Sequence, residues 1–259
     1  CVARERIADY RRVISIFKTN TAVAYDNLSP RAVQHASEET MQELIALFDR
    51  CEHEKRWPDI WRGATMVMIP KADAYKWRLI AMLCTYYRIW ARRAGEDVSR
   101  WMTTLGRDWI ANGPSMSSEH AIYDIALDAE AHINDADDIE VTMMDDLEKG
   151  FEKVIHKNIR DKAAVFQFPN IKLNMALSMY TAVYTEMRVL AGCPIAMGLL
   201  LVAVLDPVDR FWKSSPLNMI SLKVYVDDFA LSFRFNRNVH TTDVMRMRVA
   251  NSYRTIETA

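Results

Sequence analysis

Few of this chain's 259 residues are glycine or proline, 7 and 8 respectively. Long flexible linkers and low-complexity stretches need more of both, so packed structure is expected almost throughout. The four cysteines, Cys1, Cys51, Cys84 and Cys193, lie far apart and never in C-x-x-C spacing. That argues against a disulfide framework or a zinc site. It fits a reducing intracellular setting, with nucleus and cytoplasm not distinguished. No apolar run reaches the 18 or more residues of a bilayer span. The longest candidate, Ile195 to Leu205, is too short, and no membrane association is expected. The opening CVARERIADYRR is charged and resembles neither a secretory signal nor an initiator end, as a fragment or processed piece would.

Half of the residues are hydrophobic, enough for a substantial core. The net charge of −1 conceals a pattern: residues 112–152 carry one basic and twelve acidic side chains. Residues 1–111 carry 18 basic against 14 acidic, and 153–259 carry 14 against 8. Uneven surface charge alone accounts for such a pattern. The functional alternative is a carboxylate metal site flanked by surfaces that meet phosphates.

Ser29-Pro30 reads as a helix start, and Val33, Ala36, Thr40, Leu44, Leu47 and Cys51 recur at helical spacing, predicting one helix up to Trp57-Pro58. Strands are predicted over 64–69 and 77–83, joined by a polar connection. Helices are predicted over 86–101 and 122–133, with the break NGPSMSS between them. A short strand over 139–144 runs into Asp145-Asp146. Helices follow near 153–165, 170–185 and 197–213, then a hairpin of 222–226 and 229–233, then a helix over 242–256. This order suggests α+β, with helices packed on one face of an antiparallel sheet.

The hairpin reads LKVYVDDFALSF, with Asp227 and Asp228 between two strand-like apolar stretches. Strands disfavour Asp, and adjacent like charges repel. A divalent cation resolves both problems, since Mg²⁺ takes hard oxygen ligands and retains water and substrate phosphates. If the 139–144 strand lies beside the hairpin, Asp146 and Asp227 converge at one end of the sheet. Two ions roughly 3.5–4 Å apart could be held there.

Four blocks give this oddity a context: KTNTAVAYDNLSP, MIPKADAYKWRLIAML, MDDLEKGFEKVIH, and AGCPIAMGLLL followed by YVDD. In this order they resemble the fingers and palm of a reverse transcriptase, most like those of non-LTR retrotransposons, over about residues 18 to 233. The resemblance implies a right-hand polymerase fold, with a fingers-like region at 1–115 and a palm-like region at 116–259 ending before the thumb. It implies an RNA-directed DNA polymerase acting on an RNA template, a DNA primer and dNTPs. Its cofactor would be two Mg²⁺ ions, with Mn²⁺ as the alternative. Asp146, Asp227 and Asp228 become the catalytic, metal-binding aspartates, and Asp145 a structural neighbour. Phe151 becomes the aromatic that excludes a ribose 2′-hydroxyl. Arg78 and Lys71 would grip the triphosphate, and Gly192 and Tyr225 would lie against template and nucleotide. The chain departs from the family pattern at Leu79, Gly150, Glu152, Ala191 and Ala196. Two alternatives stay open: an RNA-dependent RNA polymerase, against which Phe151 argues, and a catalytically decayed, nucleic-acid-binding remnant of a retroelement.

Overall fold

The computed structural model describes residues 2–70, 77–113, 116–131, 138–147, 150–183, 189–190, 193–215, 219–236, 238–240 and 242–258. Three helices come first: α1 (Val2–Ser15), α2 (Pro30–Gln34) and α3 (Glu38–Glu54). A hairpin of β1 (Ala64–Pro70) and β2 (Trp77–Leu83) leads to α4 (Thr85–Thr104) and α5 (Ser118–Ala131). Strand β3 (Asp138–Asp146) precedes α6 (Gly150–Lys153), α7 (His156–Val165), α8 (Asn170–Val183) and α9 (Ala196–Lys213). The chain closes with β4 (Met219–Tyr225), β5 (Asp228–Asn236) and α10 (Thr242–Thr258). This is an α+β fold with small antiparallel sheets, consistent with the fingers and palm of a polymerase. No helix among the described residues is long and apolar enough to cross a membrane.

The chain divides into two compact units, each made of two stretches. One holds Cys1–Trp101 and Phe151–Leu199, and the other Met102–Gly150 and Leu200–Ala259. These units group the chain by packing. The division into 1–115 and 116–259 groups it by resemblance, and it remains a proposal.

In the first unit, Trp57 is the centre of an aromatic cluster. It is fully buried, and its indole N–H donates to the Met175 carbonyl at 2.9 Å. Trp90 and Tyr87 meet it edge-on, with ring centroids 5.1 and 5.3 Å away. Glu52 on α3 accepts from both the Trp90 indole and the Lys172 ammonium of α8, and Lys172 also lies over the Trp90 ring. A half-buried ion pair is thus satisfied from both ends, and it ties α3, α4 and α8 around the cluster. Trp57 is spent on packing, Trp61 stacks on Tyr86 at 4.6 Å, and Trp77 is exposed.

Two features of this unit differ from the sequence expectation. The helix expected from Ser29 to Trp57 is broken into α2 and α3. Ser37 interrupts it by capping α3, its hydroxyl accepting from the Thr40 N–H at 3.2 Å. A serine that offers its own acceptor to the backbone competes with a through-going helix. Helix α1 was not expected at all. Its charged residues hide an apolar stripe, Ile7, Tyr10, Val13 and Ile14, all buried.

In the second unit, β5 is the central strand of a three-stranded antiparallel sheet ordered β3-β5-β4. Strand alternation sorts its side chains by chemistry. Leu222, Val224, Phe229, Leu231, Phe233 and Phe235 fall on one face and are buried. The other face pairs Glu140 with Arg234, Thr142 with Ser232, Met144 with Ala230 and Asp146 with Asp228. Lys223 and Tyr225 extend this polar face across β4, opposite Ala230 and Asp228. The free edge of β4 is held by the preceding loop: the Val224 N–H donates to the Trp109 carbonyl at 2.7 Å, and the Ala111 N–H donates to the Val224 carbonyl at 2.9 Å. Arg107 anchors that loop through two guanidinium nitrogens on the Asp209 carboxylate of α9, at 2.8 and 3.0 Å. The Trp109 indole N–H reaches the same carboxylate at 3.2 Å.

Helix α9 approaches α4 closely at Gly198, where a side-chain carbon would overlap the Val98 Cγ1 methyl. Gly198→Ala in a helix should gain about 1 kcal/mol in propensity. Overpacking against a branched, buried neighbour costs about 1–3 kcal/mol, and this term wins. The variant is expected to be less stable than the unaltered protein, which a lowered midpoint of urea unfolding would record.

Candidate metal and nucleotide site

Tyr225 pairs with Asp228, so Val226 and Asp227 form a two-residue hairpin turn. Such turns place the first residue at positive φ, where glycine is favoured. Here that residue is Val226 with φ 61°, a left-handed conformation that a β-branched side chain resists. The strain costs about 1–3 kcal/mol and persists only because the surroundings impose it. One of those surroundings is β3. The Leu147 N–H donates to the Asp227 carbonyl at 2.8 Å, carrying the β3–β5 ladder one step beyond the Asp146–Asp228 pair. The chain then turns back, with the Gly150 N–H on the Leu147 carbonyl at 3.0 Å.

This arrangement brings Asp146, Asp227 and Asp228 together. Each offers a carboxylate oxygen, and the three oxygens lie within 4.8 Å of one another. Asp146 and Asp228 are exposed, and Asp227 is half-buried. Partial burial, and then the charges of Asp227 and Asp146, raise the pKa of Asp228 above the usual carboxylate range. Three hard oxygen donors at this spacing, each disfavouring its neighbours' charge, fit a divalent cation. Asp145 pairs with Phe229 and alternates to the opposite face of β3.

A cavity of about 450 Å³ lies beside the carboxylates. Its walls come from α5, through Ala121, Ile122 and Ile125, and from the polar sheet face, through Met144, Lys223 and Tyr225. Asp145, Asp146 and Asp228 complete it. Of the residues proposed for the nucleotide, Tyr225 lines this cavity at the end of β4. Phe151 is half-buried, and its carbonyl accepts from the Val189 N–H at 2.9 Å. Arg78 lies on β2 opposite Ile69. Lys71 and Gly192 lie outside the described residues. Sequence reasoning missed Lys223, Ile122 and Ile125 as cavity residues. For Lys223 the signal was available: two residues before Tyr225 on a strand means the same face.

A family model described as "Reverse transcriptase (RNA-dependent DNA polymerase)" matches residues 69–255. The chain belongs to the reverse transcriptase family. No curated protein matches it. The matched segment runs from the end of β1 to α10 and includes all three clustered aspartates. Reverse transcriptases act on a nucleic-acid template and primer and on nucleotides, transfer nucleotidyl groups, and generally use divalent metals.

Gly150 begins α6 close to the turn that carries Asp227. A side-chain carbon there would lie 3.2 Å from Asp227 Cβ, tighter than ordinary packing, and in contact with Leu147 Cβ at 3.4 Å. Gly150→Ala should therefore push Asp227 by a few tenths of an ångström. Saturating Mg²⁺ or Mn²⁺ is expected to stabilise the unaltered protein, by about 2.7 kcal/mol at a hundredfold excess over Kd. In Gly150→Ala, metal affinity should fall about tenfold, as for other groups that orient a ligand. Melting curves across a metal titration check both.

Proposed function

We propose that this chain is an RNA-directed DNA polymerase of the non-LTR retrotransposon type, comprising fingers and palm. It extends a DNA primer on an RNA template with dNTPs. The observation that carries the reading is the convergence of Asp146 with Asp227 and Asp228 at one end of a three-stranded sheet. Asp146 and Asp227 would hold two Mg²⁺ ions, with Asp228 as the more tolerant partner. These ions would supply activation of the primer 3′-hydroxyl and stabilisation of the departing pyrophosphate.

The chain's own residues supply position and selection. Arg78 offers a planar guanidinium for bidentate contact with triphosphate oxygens, and Lys71 a point charge. Gly192 lets backbone approach the template and nucleotide. Tyr225 ends β4 one residue before the strained turn. Phe151 follows Gly150, and its ring would occupy the space a ribose 2′-hydroxyl needs, which favours DNA synthesis over RNA synthesis.

Primer extension on an RNA template should require Mg²⁺ or Mn²⁺ and dNTPs. Asp227→Asn should lower its rate about a thousandfold, a loss of several kcal/mol of charge stabilisation. Extension with NTPs alone would favour an RNA-dependent RNA polymerase. Duplex binding without extension would favour a non-catalytic remnant.

Phe151→Val should leave dNTP use largely intact. It should raise ribonucleotide incorporation about tenfold or more, because an overpacking clash of roughly 1–3 kcal/mol is removed. Competition between dNTP and rNTP in single-nucleotide extension reads this directly, and an unchanged ratio would remove the gate role from Phe151.

A further inference from the structure

The polar sheet face of the cavity beside the carboxylates carries two acids, Asp146 and Asp228, and a single basic residue, Lys223, among the described residues. A polyanionic strand entering this space meets repulsion from every ionised wall group except that lysine. Lys223 lies opposite Ala230 and Tyr225 opposite Asp228, so Lys223 and Asp228 are diagonal neighbours on one sheet face. Their backbones are about 7–8 Å apart, within reach of a lysine side chain.

The Lys223 ammonium is directed to α5, where it donates to Asp124 Oδ2 at 3.2 Å. This pair is easily exchanged. The Asp124 side chain is 56% exposed and that of Lys223 22%, and exposed pairs contribute little to stability. Around it, the walls are unusual for a site that faces only water. Ile122 and Met144 are large, apolar and exposed, at 56% and 67%. An ammonium, an apolar wall and a metal-binding carboxylate cluster within one cavity match the parts of a nucleic-acid strand end: phosphodiester, sugar and base, and 3′-hydroxyl.

We propose that Lys223 is a phosphate-binding residue. It is held by Asp124 in the free protein and transfers to a phosphodiester of the strand whose 3′ end meets Asp146, Asp227 and Asp228. This rests on the polymerase function proposed above and adds a residue and a partner exchange to it. Lys223 acts in strand binding, and Asp124 is its placeholder. Neither residue is among those that the resemblance assigns to the site.

The test is fluorescence anisotropy of a labelled primer–template duplex with the full chain in Mg²⁺, over a series of KCl concentrations. Lys223→Gln is expected to weaken binding about tenfold at low salt and to flatten the slope of log K against log salt by about 0.9, the loss of one phosphate contact. Lys223→Arg should keep the slope, which separates lost charge from lost fold. Asp124→Asn should tighten binding about two- to fivefold by releasing the ammonium, and should have no effect in a Lys223→Gln background. Unchanged affinity and slope in Lys223→Gln would overturn the assignment while metal-dependent extension by the unaltered protein still stands. So would an Asp124→Asn effect that survives loss of the lysine. An unaltered protein that neither binds nor extends the duplex overturns the polymerase function itself, and the assignment with it.

Discussion

Three carboxylates are held within 4.8 Å of one another against their own repulsion, and the architecture around them follows from that requirement. At such a spacing each ionised pair repels by roughly 1 kcal/mol in water and about 3 kcal/mol at an effective dielectric of 20. Side chains free to move would separate. They stay because backbone sets them: Asp146 and Asp228 are register partners, and Asp227 is held by the Leu147 N–H on its carbonyl. The ladder stays because Phe229, Leu231 and Phe233 of the same strand are buried on the opposite face. Each such burial is worth about 1.5–3 kcal/mol, enough in sum to outweigh the repulsion. One side of the sheet therefore supplies the energy that its other side spends.

The same logic explains the turn. A glycine at Val226 would relieve the left-handed strain, but it would leave the turn free to adopt other geometries. A valine held there by pairing on both flanks has few alternatives, so the direction of Asp227 is narrowly defined. Gly150 complements this from the other side. Where the turn needs a side chain, the facing backbone needs none, because Asp227 Cβ occupies the space. The anchoring of the 107–111 loop through Asp209 works at longer range, since it holds Val224 two residues before the strained position. These features share one consequence: positional freedom is removed before any ligand arrives, so less ordering remains for binding to accomplish.

Much of this was legible in the chain because it violates local preference. Paired aspartates inside a strand pattern demand a compensating charge, and Asp146 after a β run invites the same question. The pairing of β3 with β5 followed from asking where those groups could meet. What stayed hidden was hidden for physical reasons. Helix α1 has its apolar residues diluted by arginines, so its stripe shows only once one face is known to be buried. The break before α3 depends on whether the Ser37 hydroxyl caps a helix or faces solvent, and composition does not decide between them. The Lys223–Asp124 pair joins residues 99 positions apart on elements whose contact no local pattern announces. Gly150 was visible only as a departure from a family pattern, and its close approach to Asp227 needs three-dimensional placement.

Charge along the chain can be understood from the same centre. Residues 112–152, with twelve acidic side chains and one basic, include α5 and β3, which flank the cavity. A nucleic acid approaching this surface is repelled over a Debye length of about 8 Å at physiological salt, unless cations stand between. A metal bound as proposed would neutralise charge of the carboxylate cluster, and the lysine on the same sheet face would answer one phosphate more. The acidity of the region would thus suit a polyanionic substrate best when the site is loaded. Under that reading metal binding and strand binding would favour each other, since each would lower the electrostatic cost the other meets. Under the proposed function, the short-range repulsion among the three carboxylates is therefore also what would couple the binding of metal to the binding of the strand.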